Sequence, residues 1–149
     1  MTKKELRKIK SVLTKAIKIH LKKGGKLIAD DFYLGSSKKN DKDKLASMCK
    51  CPVQVVTDNM SIRGKEAKGN ERRVSTSTEF SKALGFPINR DEMFAVINGY
   101  DKQNKKEDLW GNLSIDGYQA LYNVGLEIRK EFKPLTKRQI NSIMGYDYV

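Results

Sequence analysis

Residues 3–25, KKELRKIKSVLTKAIKIHLKKGG, limit the possible folds more than any other stretch of the chain. Leu6, Ile9, Val12, Leu13, Ala16, Ile17 and His20 recur at helical spacing and share one face. Lys4, Arg7, Lys8, Lys15, Lys18 and Lys22 share the opposite face. A helix patterned in this way needs a core to lie on, so the remainder of the chain must supply one. Thr2 and Glu5 form a T-x-x-E capping box that starts the helix at about Lys3. Gly24-Gly25 stops it, and Lys22 and Lys23 in its last turn complement the helix dipole. The expected length is about 21 residues.

A chain of 149 residues suits one domain, and at that size roughly 70% of the unfolded surface can be buried. With 38% hydrophobic and 32% charged residues, the composition is polar for a globular protein but outside the disordered class. No run of 18 apolar residues occurs, so no membrane span is expected. The first residues are basic without an uninterrupted apolar stretch or a small-residue cleavage site, so secretion is not expected. Cys49 and Cys51 stand one residue apart, which suits neither an ordinary structural disulfide nor a four-ligand zinc site. A reducing cytoplasm is the expected setting.

The net charge of +12 is unevenly placed. Residues 1–26 carry ten Lys/Arg against the single acid Glu5, and 36–50, 61–73 and 126–139 each sum to +3, whereas 79–108 sums to −1. KLIADDFYLG (26–35) reads as a strand or extended packing segment, and SSKKNDKDK (36–44) as a solvated loop. LASMCKCPVQVVTDNM (45–60) reads as buried, with Pro52 opening a short helix from its first position. SIRGKEAKGNERR (61–73) is basic, glycine-punctuated and without periodicity, hence a mobile loop.

Four further helices follow. Thr76 and Glu79 suggest a capping box for STEFSKAL, which ends at Gly85. Asn89 and Glu92 do the same for RDEMFAVIN, for which Gly99 is the expected left-handed stop. Ser114 caps IDGYQALYNVGLEIRKEF, whose inner face is traced by Ile115, Tyr118, Leu121, Tyr122, Gly125, Ile128 and Phe132. Gly125 inside that helix costs up to ~1 kcal/mol against alanine, so it is expected to admit the close approach of another backbone. Pro134 ends the helix, and Leu135, Thr136, Gln139 and Ile140 make a staple and capping box for a last short helix ending near Gly145. The fold class is therefore mainly α: a compact single domain over 1–149 of about five to six helices, one long and amphipathic at the N-terminus, with a minor β-strand pair.

No catalytic or metal constellation stands out. His20 falls on the apolar face with no Ser, Cys or carboxylate in its helix to partner it, and is read as a core residue. The two cysteines are read as small hydrophobes. Asp30-Asp31 suit a turn, while Asp91 and Glu92 suit a helix N-terminus. A calcium loop from Asp101 fails at Gln103 and Lys105. A helix-turn-helix over 79–101 is disfavoured by Pro87 in the connection and by Asp91, which would face phosphate; the unit is read as a core helical hairpin. Phe80, Phe86, Phe94, Tyr118, Tyr122 and Phe132 follow core spacing, whereas Tyr33, Tyr100, Trp110, Tyr146 and Tyr148 fall in turns or near termini, where some are expected at the surface.

CPVQVV with its Cys51-Pro52, ALGFPINRDEMFAVINGYD with Glu92 ahead of Gly99-Tyr100-Asp101, and YNVGLEIRKEF with Tyr122, Gly125 and Arg129 together resemble a pattern in small uncharacterised bacterial and bacteriophage proteins. The resemblance covers roughly the C-terminal two-thirds and leaves out the basic helix. It implies a compact helical module of phage or bacterial origin, with Tyr100 and Asp101 tying the hairpin to the Tyr122 helix, and carries over no activity.

Three function classes follow. The leading one is a non-enzymatic binding protein that contacts nucleic acid phosphates, DNA or RNA, with weak sequence specificity. Its site residues are Lys4, Arg7, Lys8, Lys15, Lys18 and Lys22 on the helix, with Arg63, Lys65, Lys68, Arg72 and Arg73 from the basic loop. Lysine predominates over arginine on the helix, which favours phosphate contact over base reading. The second is a phage-type effector or adaptor docking on an acidic host or defence protein, steered by the same charges. The third is an enzyme with dispersed site residues. No cofactor is implied.

Overall fold

The computed structural model describes residues 1–29, 49–57, 76–105 and 109–144. In chain order these form α1 (Lys3–Lys22), β1 (Lys26–Leu27), β2 (Cys49–Lys50), α2 (Pro52–Thr57), α3 (Thr76–Leu84), α4 (Arg90–Asp101), α5 (Ile115–Glu131) and α6 (Lys137–Met144). The fold is mainly helical, with a long N-terminal helix and a parallel two-stranded pair. No described helix is long and apolar enough to cross a membrane. The solvated loop read at 36–44 and the basic loop at 61–73 lie outside the described residues.

Local sequence sets most helix ends. The Thr2 hydroxyl accepts from the Glu5 N–H at 3.1 Å, and the Glu5 carboxylate accepts from the Thr2 N–H at 2.8 Å. Asn89 and Glu92 reproduce this exchange before α4, and Thr136 and Gln139 before α6. The Ser114 hydroxyl accepts from the Gly117 N–H at the start of α5. Thr76 stands inside α3 and not ahead of it.

One apolar core holds the helices. Ile9, Leu13 and Ile17 of α1 are 0% exposed and pack with Val53 of α2, Phe80 and Leu84 of α3, Met93, Val96 and Tyr100 of α4, and Leu121 and Ile128 of α5. Deep burial of each aliphatic side chain contributes about 1.5–3 kcal/mol, far more than helix propensity can supply. A smaller cluster joins Ile28 and Cys49 of the strand region to Ile140, with Leu135 against it. There the staple expected at the start of α6 is in place. The strands pair Lys26 with Cys49 and Leu27 with Lys50, and the Leu135 N–H donates to the Leu27 carbonyl at 2.8 Å.

α4 and α5 form the most extensive helix pair, through a crossing built on two glycines. A Cβ on Gly125 would stand 2.6 Å from the Tyr100 nitrogen and 2.9 Å from the Gly99 carbonyl carbon, and would collide with the Val96 oxygen. A Cβ on Gly99 would stand 2.8 Å from the Tyr122 carbonyl carbon and collide with its oxygen. Gly125 thus admits another backbone as its place in the sequence suggests. Gly99 does so too, which corrects its reading as a helix stop. α4 runs on to Asp101, and Lys102, at φ 56°, takes the left-handed position. Tyr100, expected near a turn, lies in α4 and is buried; its hydroxyl donates to the Phe132 carbonyl at 3.0 Å. Ile115, expected on the inner face of α5, is 78% exposed because the buried face begins one turn later, at Tyr118. The connection between α3 and α4 is tied back to α3: the Ile88 N–H donates to the Ser81 hydroxyl at 2.9 Å.

Candidate polyanion-binding face

The burial of α1 fixes which side of it meets solvent. At 3.6 residues per turn, Ile9, Leu13 and Ile17 define the inward direction, and Lys4, Arg7, Lys8, Lys15, Lys18 and Lys22 fall within an arc of about 100° facing away. All six are exposed. Lys4 and Lys22 lie five turns apart in nearly the same direction, a separation of about 27 Å along the axis. None of the six forms an ion pair among the described residues. Lys10, on the flank, is different: its Nζ lies 3.1 Å from Glu127 of α5. Glu5, the acid of this helix, is committed to the Thr2 N–H, which holds its carboxyl below the usual carboxylate value. Among the described residues the stripe is therefore a row of uncompensated cations. Lys4–Arg7, Lys4–Lys8, Lys15–Lys18 and Lys18–Lys22 repel one another across single turns. Exposed Ser11, in the centre of the row, was not marked by charge and completes it as a hydroxyl donor.

The other expected cations of the site, Arg63, Lys65, Lys68, Arg72 and Arg73, lie outside the described residues, as do Asp30, Asp31, Tyr33, Tyr146 and Tyr148. In the basic C-terminal stretch Arg129 is turned to structural use, its Nη1 donating to the Tyr100 carbonyl at 2.6 Å. Lys130, Lys133, Lys137 and Arg138 are exposed.

The positions weighed for catalysis have structural duties. His20 is not a core residue: it is half-buried, and its Nε2–H donates to the Lys26 carbonyl at 2.9 Å, with the ring packed against Gly25. That bond folds the chain back from α1 into β1. Cys49 is buried, and burial pushes its thiol above the ordinary value, partly offset by Lys26; Cys51 is half-buried, and the two form no disulfide among the described residues. A recess of ≈ 10 Å³ lined by Pro52, Val53, Val96, Ile97 and Tyr100 has room for about one water. Among the described residues no group of three or more His, Cys, Asp or Glu side chains is placed to hold a metal ion.

Asp91 does not face outward as the helix-turn-helix comparison supposes. It is 1% exposed, and its carboxylate accepts from the Trp110 N–H at 2.9 and 3.1 Å and from the Asn112 N–H at 2.9 Å, with the Arg90 guanidinium 3.6 Å away. Arg90 in turn lies between two rings, 4.5 Å from the centroid of Phe94 and 4.2 Å from that of Trp110. Trp110 is 69% exposed. Nothing in the local sequence pattern marks this assembly, because its partners are about 20 residues apart.

Compared with protein-family models, curated proteins and solved structures, the chain shows no match.

Proposed function

We propose that the protein binds nucleic acid through its phosphates, using the outer face of α1. The observation that carries this reading is the stripe itself: six exposed cations, without acidic partners among the described residues, on one arc of a helix whose opposite arc is anchored in the core. Burial fixes the orientation of the helix, so the row is presented to a ligand without further ordering of the backbone. Five of the six are lysines, point charges on long flexible stems, able to follow a phosphate backbone without reading base edges. Sequence specificity is accordingly weak. If all six contact duplex DNA, the logarithm of the binding constant falls against the logarithm of salt with a slope of about −5, which weakens binding roughly 10³-fold between 50 and 200 mM salt.

The test is a fluorescence-anisotropy titration of labelled duplex DNA, single-stranded DNA and RNA at several salt concentrations. A parallel variant carries Glu at Arg7, Lys8, Lys15, Lys18 and Lys22. The expected result is steeply salt-dependent binding that the variant loses while its helical circular dichroism persists. Absence of binding to all three ligands near physiological salt would sink the reading and turn attention to an acidic protein partner for the same charges.

A further inference from the structure

We infer that Trp110, backed by Arg90 and Phe94, is a stacking platform for one unpaired nucleobase, so that single-stranded nucleic acid is the preferred class of polyanion; this rests on the phosphate-binding reading of α1. The platform is layered. The Phe94 ring, the Arg90 guanidinium and the Trp110 indole follow one another at 4.5 and 4.2 Å, which occupies one face of the indole. With the side chain 69% exposed, the opposite face looks onto solvent. The support under it is rigid: the buried Asp91 carboxylate fixes the backbone at Trp110 and Asn112 and draws Arg90 toward the same point. A planar partner therefore meets an indole that is already oriented, and loses little entropy in ordering it.

A nucleobase continues such a stack whatever its identity, because every base presents a π-face. Bases inside a duplex are already stacked on both sides and cannot use the site. The surroundings favour one flat ligand over a protein surface. Gly111, Asn112, Ser114 and Asp116 are exposed, and Ile115 is the one other large apolar side chain exposed between residues 109 and 116, too little for the apolar centre of a protein interface. The 79–108 stretch is close to neutral, so the platform contributes through its π-face and leaves the phosphates to the lysines of α1.

Trp110 is the single tryptophan of the chain, so intrinsic fluorescence reports on this site alone. Wild-type protein is titrated with an oligothymidylate of about 20 nucleotides, longer than common single-strand site sizes, with an abasic strand of equal length, and with a duplex. The oligothymidylate should quench the fluorescence in step with binding, and the abasic strand and the duplex should bind without quenching. Trp110→Ala should weaken oligothymidylate binding about 5- to 150-fold, the range for loss of one stacked base, and leave abasic and duplex affinity and the salt slope unchanged. Oligothymidylate binding that saturates with no fluorescence change, or that Trp110→Ala does not weaken, overturns the platform and leaves the phosphate reading standing. Failure of all three ligands to bind wild-type protein overturns both.

Discussion

Replacing Gly125 by alanine sets two effects of opposite sign against each other. In the middle of a 17-residue helix the substitution should help, because alanine is favoured over glycine by up to ~1 kcal/mol. The crossing with α4 opposes it. The new methyl group would stand 2.6 Å from the Tyr100 nitrogen and 2.9 Å from the Gly99 carbonyl carbon, against roughly 3.5–4 Å for a relaxed contact. These neighbours are main chain and cannot swing aside, so the helices must separate by about an ångström, and a gap of that size forfeits a quarter to a half of the contact energy along the seam. Overpacking of this kind costs about 1–3 kcal/mol and at times more; at the upper end, the propensity gain leaves a net loss of about 2 kcal/mol. For a chain of this length that corresponds to a fall in Tm of about 4–8 °C. Urea and thermal unfolding followed by circular dichroism measure it, with Lys130→Ala, at an exposed position of the same helix, as the control. A Gly125→Ala protein as stable as wild type, or more so, would refute the crossing as described.

Two other perturbations probe the polar interior. Asp91→Ala leaves the Trp110 and Asn112 N–H groups without their acceptor and should cost about 2–4 kcal/mol, seen as a lower urea midpoint and as displaced amide resonances at residues 110 and 112; an unchanged midpoint would show that water replaces the carboxylate. Burial holds the Tyr100 phenol well above its ordinary value, so its contribution to stability is complete below the unfolded value near pH 10 and is lost as pH rises through the folded value. Tyr100→Phe should therefore be about 1 kcal/mol less stable than wild type at neutral pH, having lost the bond to the Phe132 carbonyl, and the difference should shrink above pH 10. A difference that holds constant to pH 11 would contradict this.

Features determined by neighbours along the chain were legible in the sequence, and those determined across it were not. The Thr2–Glu5, Asn89–Glu92 and Thr136–Gln139 caps involve residues three apart, so the letters alone identify them. The division of α1 into a buried and a charged face follows from its period, and with it the candidate face. Gly99 and Gly125 show where this stops. Both are glycines in helices, yet a glycine that ends a helix and one that meets a neighbouring backbone look alike until the partner helix is known. Tyr100 reads as a turn residue for that reason, whereas its burial follows from the extension of α4 past Gly99. His20 repeats with the apolar residues, but position at the end of α1 gives it the Lys26 carbonyl as a partner instead of the core. The Arg90–Trp110 contact joins a helix start to a loop, and no spacing rule anticipates it.

The Asp91 carboxylate has a consequence for how the molecule opens. Amide hydrogens in irregular segments ordinarily exchange with solvent early, because such segments part from the body at little cost. Those of Trp110 and Asn112 are closed onto a buried side chain in the first turn of α4. They can meet solvent only when that carboxylate lets go. The loop before α5 and the start of α4 are thereby made one unit of opening, and in hydrogen exchange the two loop amides would keep the time of a helix.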